Sequence, residues 1–158
     1  MKEINEINED ELMILILQNT SWENICIHYI LSEELIDKYS NKLNWHIISL
    51  YQQLSENFMI KYNDKLDWDY ISEHQKLSEY FMIKYNYKLN WSKICAHQQL
   101  SEAFMNTYYE KLNWYLISLY QQLSFEFIKK NKNKLNIGGL LENNNISNEI
   151  KNKILNKI

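Results

Sequence analysis

The stretch "KLNWHIISLYQQLSENFMIKYNDKLDW", residues 42–68, begins on KLNW and ends on KLDW. That return is the rule of the whole chain. Tryptophan stands at Trp22, Trp45, Trp68, Trp91 and Trp114 and nowhere else, at a constant step of 23 residues. Three residues after each come Ile25, Ile48, Ile71, Ile94 and Ile117. Nine after come Leu31, Leu54, Leu77, Leu100 and Leu123, each followed by a serine. Then come Leu35, Phe58, Phe81, Phe104 and Phe127, with Tyr39, Tyr62, Tyr85 and Tyr108 four residues further on. A fixed period of this length marks a repeat architecture, in which each unit is one supersecondary element.

Each unit reads as two short helices. In residues 44–52, Asn44 is an N-cap, and Trp45, Ile48, Ser49 and Gln52 fall on one helical face. In residues 54–62, Ser55 caps the second helix, Glu56 stands favourably in its first turn, and Leu54 and Met59 have the spacing of a hydrophobic staple. The segment 63–67 is the turn to the next unit, with Asn63 expected to take the left-handed conformation; the chain has two glycines, Gly138 and Gly139, and no proline. Helices of about eight or nine residues do not persist alone in water. The Trp, Ile, Leu, Phe and Tyr columns must therefore be buried between successive units, which predicts an all-α solenoid. Trp68→Ala is expected to cost about 3–5 kcal/mol.

The single repeat domain predicted over residues 1–158 comprises an N-terminal capping half-repeat (1–21), five repeats (22–136) and a degenerate C-terminal capping repeat (137–158). In the last, Asn136 and Ile137 continue the Asn-Trp pair, and Leu140, Ile146, Ser147, Ile150, Ile154 and Ile158 keep the register. In the half-repeat, Leu12, Met13 and Ile16 fall in the Phe, Met and Tyr columns. Worn terminal units serve as caps of a stacked array.

The polar residues that could carry chemistry fall into columns too. Cys26 and Cys95 share a position with Ser49, Ser72 and Ser118, so the site asks for a small side chain, and three repeats between them put a disulfide out of reach. His28, His74 and His97 alternate with Tyr51 and Tyr120, as a half-buried ring with a polar edge would; a metal ligand is not exchanged for tyrosine so freely. Gln52, Gln75, Gln98 and Gln121 form an invariant inward column. A base-reading code needs a reading position that varies, so these amides are expected to form a hydrogen-bonding ladder that fixes the stacking. No His and Asp columns accompany the serines as a hydrolytic triad requires, and no glycine-rich phosphate loop is present. No cofactor, metal or catalytic residue is expected.

Formal charge is −3, with lysine mixed among Asp and Glu and no basic block, so nucleic acid is not the expected partner. The opening "MKEINEINEDE" lacks the basic and apolar parts of a secretory signal. The apolar run Leu12–Leu17 is far short of the ~20 residues that cross a bilayer. An intracellular protein with no membrane association is expected.

Function is expected where repeats differ. Repeats two and five place Ile47 and Leu50, or Leu116 and Leu119, on the outer side of the first helix, where repeats three and four carry Tyr70, Glu73, Lys93 and Ala96. These positions are either a partner or self-association surface, or apolar positions buried by superhelical curvature; both readings stay open.

The unit "KLxW..I(S)..Q.LSE.F(M/I)..Y..KL" resembles the short tandem-repeat proteins with "DW..IS..Q.LSE.FI" motifs of mimivirus-like giant DNA viruses, over about residues 20–136. Leu35, Asn131 and Ile137 depart from that pattern. The resemblance implies an extended surface for viral or host proteins, in the host cytoplasm or the virion. The reading from the residues is a non-enzymatic helical-repeat scaffold for protein–protein interaction. Alternatives are a virion structural or self-assembling component and, disfavoured by charge, an RNA-binding solenoid.

Overall fold

The computed structural model describes residues 5–157, so Ile158 lies outside the described residues. Packing divides the chain into two compact units, Met1–Gln75 and Lys76–Ile158. Each is a stack of two-helix repeats, so the fold is an all-α repeat solenoid. Unit 1 holds β1 (Asn5–Ile7), α1 (Glu9–Leu17), α2 (Trp22–His28), β2 (Tyr29–Leu31), α3 (Glu33–Lys38), α4 (Trp45–Tyr51), α5 (Glu56–Lys61) and α6 (Trp68–His74). Unit 2 holds α7 (Glu79–Lys84), α8 (Trp91–His97), α9 (Glu102–Thr107), α10 (Trp114–Tyr120), α11 (Phe125–Lys130), α12 (Ile137–Glu142) and α13 (Asn148–Lys157).

The helices begin where the caps predict. Asn44 caps α4 through the His46 N–H, and Ser55 caps α5 through the Phe58 N–H at 3.2 Å. They are shorter than expected, seven residues for the first helix of repeats one to five and six for the second. In repeats two to five the first helix ends at the glutamine column, where Gln52, Gln75, Gln98 and Gln121 have extended backbone and serve as C-caps, and in repeat one it ends at Tyr29 in the same position. So few residues cannot hold a helix by local bonds alone.

The first helices stack in register, α2 on α4 on α6 in unit 1 and α8 on α10 on α12 in unit 2. Two columns are fully buried. One is Ile25, Ile48, Ile71, Ile94 and Ile117. The other is the fourth residue after the second-helix cap, Ile36, Met59, Met82, Met105 and Ile128. The Leu and Phe columns are buried beside them.

The tryptophans depart from expectation. All five are only half-buried. In repeat two the Trp45 ring lies 4.5 Å from Tyr62 and 6.4 Å from Phe58 of its own repeat, and its Nε1–H donates to the Ser40 carbonyl at 3.1 Å. Lys65 covers the ring at 5.2 Å. Trp91 and Trp114 repeat the pattern, donating to the Asn86 and Tyr109 carbonyls and lying under Lys111 and Lys134. The indole thus ties the two helices of its own repeat to the turn before it, and its first-turn position with a lysine roof leaves it partly in solvent. The seams between repeats are held by the Ile and Met columns.

The turns also differ. Asn63 does not take the left-handed conformation; among the described residues Asn19 is the only non-glycine residue with positive φ, at 58°. Asn63 instead donates its Nδ2–H to the Ile60 carbonyl at 2.9 Å, and Asn86 does the same to Ile83 at 2.8 Å.

The half-repeat is displaced by one residue from its predicted register. Asn8 rather than Glu9 caps α1, in a reciprocal capping box with Glu11. Leu12 then takes the fully buried place of Met59, while Met13 is exposed and Ile16 half-buried. Ile7 of β1 takes the Leu column and is buried. β1 was not foreseen: it pairs in parallel with β2, Ile7 opposite Leu31. In repeat six, Leu140, Ile146 and Ile154 are buried in register and Ser147 caps α13, whereas Ile137 at the tryptophan position is exposed. Gly139 lets α12 approach α10, since a Cβ there would lie 3.2 Å from that of Ser118.

Candidate functional site

Three polar columns are consumed by bonds from one repeat to the next. In unit 1 Gln52 reaches back to repeat one: its Oε1 accepts from the Leu31 N–H at 2.8 Å, and its Nε2 donates to the carbonyls of Cys26 (2.7 Å) and Tyr29 (2.8 Å). Gln75 holds Leu54 and the Gln52 carbonyl in the same way. In unit 2 Gln121 accepts from Leu100 at 3.0 Å and donates to Cys95 (2.9 Å) and Gln98 (2.7 Å). These amides are buried, so each bond replaces water that the linker backbone has lost. Asn143 does this work for repeat five, donating to the Ser118 and Gln121 carbonyls at 2.8 Å from one residue before the glutamine position. The first repeat has Tyr29 where the others have glutamine, and its linker is β2, paired with β1. The expected ladder is the observed one.

The small column is the second tie. Ser49 Oγ donates to the Trp45 carbonyl at 2.7 Å and accepts from the Asp67 N–H of the next repeat at 2.9 Å; Ser118 and Asn136 form the same pair. Cys95 accepts from the Asn113 N–H at 3.4 Å. Both cysteines are buried and free. Burial pushes the Cys26 thiol up to about 11 and that of Cys95 upward. They are small space-filling side chains, protonated at neutral pH.

The third tie joins second helices. Both oxygens of Glu33 accept from Ser55, at 2.6 Å from its N–H and 3.1 Å from its hydroxyl, and Glu79 with Ser101 and Glu102 with Ser124 repeat this. In unit 1 Asp37 also pairs with Lys61 and accepts from the Tyr62 hydroxyl, which together hold its carboxyl below the usual range.

The histidine and tyrosine column is more open than its alternation implied. His28, Tyr51 and His74 in unit 1 and His97 and Tyr120 in unit 2 are all exposed, because they lie beyond both buried columns at the end of each first helix. No group of three or more metal-ligating side chains occurs among the described residues, and no helix there is long and apolar enough to cross a membrane.

The predicted partner positions are half-buried, Ile47, Leu50, Tyr70 and Glu73 in unit 1 and Lys93, Leu116 and Leu119 in unit 2. Tyr70 meets the exposed His46 ring edge-on at 4.6 Å, and His46 bonds Asp67 at 2.7 Å. Leu119 lies against Gly139 of α12, 3.4 Å from where a Cβ would be. The stack of first helices therefore covers part of each of these side chains. More exposed than these positions are tyrosines of unit 2 that escaped attention: Tyr80 is 74% and Tyr87 71% exposed, with Tyr109 and Tyr115 also open. The signal for them was present, since each is a tyrosine at a position that other repeats fill with polar or small residues, such as Asn57 and Ala103 for Tyr80 and Asp64 for Tyr87.

In comparisons with known proteins, no family model, no curated protein and no solved structure matches the chain.

Proposed function

We propose that the chain is a non-enzymatic helical-repeat scaffold that binds another protein, viral or host, through the positions that vary between repeats. The observation that carries this is the contrast between columns. The recurring Gln, Ser and Glu side chains are spent on joining repeats, whereas Tyr80, Tyr87 and Tyr115 stand in solvent at positions the repeat does not require. Tyrosine gives a large, stiff contact with a polar tip, which is why it is enriched at protein interfaces. Ile47, Leu50, Leu116 and Leu119 add half-buried apolar area in their own units.

The test is affinity purification of the tagged chain from expressing or infected cells, beside Tyr80→Asp/Tyr87→Asp and Leu50→Asp/Leu119→Asp variants. One protein retained by the wild type and lost from either variant supports the proposal. An identical set of retained proteins in all three, or none in any, contradicts it.

A further inference from the structure

Contrary to the expectation that lysine mixes with acid along the whole chain, it does so only in the middle. Residues 3–37 hold nine acidic side chains and no lysine or arginine, residues 38–126 hold nine of each sign, and residues 127–157 hold seven lysines against Glu142 and Glu149. In unit 1, Glu6 of β1 and Asp10 and Glu11 of the first turn of α1 are exposed. Glu6 and Glu11 rim an open cleft whose apolar lining is Ile7, Ile14 and Leu15. The same helix leaves Ile14 54% and Leu17 77% exposed. In unit 2, Lys129, Lys130 and Lys132 are exposed, Lys151 is half-buried on α13, and Leu155 of α13 is 66% exposed.

We propose that the acidic cleft of one copy docks against the exposed lysines and Leu155 carried by residues 129–155 of a second copy. The two surfaces have opposite sign, and each carries exposed apolar side chains among its charges. Such a pair suits a contact in which charge sets orientation and the apolar side chains supply affinity. Acid on acid repels, so the contact joins unlike surfaces and can propagate from copy to copy or close as a ring. This deepens the self-assembly reading raised by the repeats and does not depend on the varied-face proposal, because Tyr80 and Tyr87 belong to neither surface.

The test is sedimentation velocity over a range of concentrations at about 0.05 M and about 0.5 M salt, where screening differs severalfold. The wild type associates with rising concentration at low salt and dissociates at high salt. Glu6→Lys/Asp10→Lys and Lys130→Glu/Lys151→Glu each weaken association by about tenfold or more. Mixed together, the two variants regain it, since the native lysine surface of the first meets the native acidic cleft of the second and the two reversed surfaces are again of opposite sign. The milder Glu6→Gln/Asp10→Asn variant weakens association in the same sense with its thermal midpoint kept, which separates the effect from unfolding. A wild type that stays monomeric at low salt, alone or while binding RNA, overturns the proposal, as does association indifferent to both reversals or variants that fail to rescue each other.

Discussion

Replacing Gln121 by leucine keeps its bulk and removes its amide. In the native chain that amide makes three buried bonds, to the Leu100 N–H and to the Cys95 and Gln98 carbonyls. Leucine leaves these backbone groups dry and unpaired, at about 1–3 kcal/mol for each buried group left without a partner. Part of the loss is offset by the transfer of apolar area from water. A net destabilisation of about 3 kcal/mol follows if the groups cannot reach water. With a urea slope of about 2 kcal/mol/M for a chain of this size, the midpoint falls by about 1.5 M. The control is Gln122→Leu, because Gln122 is the exposed neighbour, where surface substitutions cost within about 0.5 kcal/mol. Equilibrium unfolding followed by circular dichroism reads both. Equal midpoints for the two variants would refute the claim that the buried amides hold the stack.

Met105→Ala should cost about 3 kcal/mol by the cavity argument, and Trp91→Ala no more than this despite its larger side chain, because the indole is half in solvent; chemical denaturation of both orders them. A larger loss from the tryptophan would return the core to the indoles. Neither cysteine should react with a maleimide in the folded chain near neutral pH, and both should react once it is unfolded in urea. The Cys26 thiol, raised from 9.0 to about 11, stays protonated while its unfolded counterpart ionises, so its contribution to stability is lost as pH rises from about 9 to 11; a Cys26→Ser variant should have a flatter alkaline limb. Asp37, held low by Lys61 and Tyr62, favours the fold above the ordinary carboxylate range and loses that effect as pH falls through its folded value. Carbon-13 NMR should show its titration moving up toward the ordinary range in Lys61→Met, and no movement would dismiss the pairing.

Much of this was legible in the residues because the period repeats every constraint several times. Asn44 and Ser55 announced the helix starts, and the invariance of Gln52, Gln75, Gln98 and Gln121 announced a bonded ladder, since a buried amide is kept only where its partners are backbone groups in every repeat. What escaped were single events. The one-residue shift of α1 arises because α1 runs nine residues where α5 runs six, so that Asn8 stands one residue further from Trp22 than Ser55 does from Trp68, and Asn8 can cap as well as a serine. Asn143 clamps one residue early because α12 is one residue shorter than the other first helices. The tryptophans misled through their size: a large apolar ring implies burial, and only the structure places a lysine rather than a neighbouring repeat over it. The outer leucines were ambiguous because partial cover by the next first helix depends on the stacking geometry, which no periodicity specifies.

The central claim is that the linkers of repeats one to four are each held by the glutamine of the following repeat, and amide hydrogen exchange reads it directly. The N–H groups of Leu31, Leu54, Leu77 and Leu100 each donate to a glutamine Oε1 between 2.8 and 3.1 Å away, outside any helix. They should exchange as slowly as the helical amides of Ile94 and Ile117, and Leu100 alone should become fast in Gln121→Leu. Linker leucines that exchange at the rate of free peptide in the native chain, or a Leu100 amide unchanged by that substitution, would contradict the account.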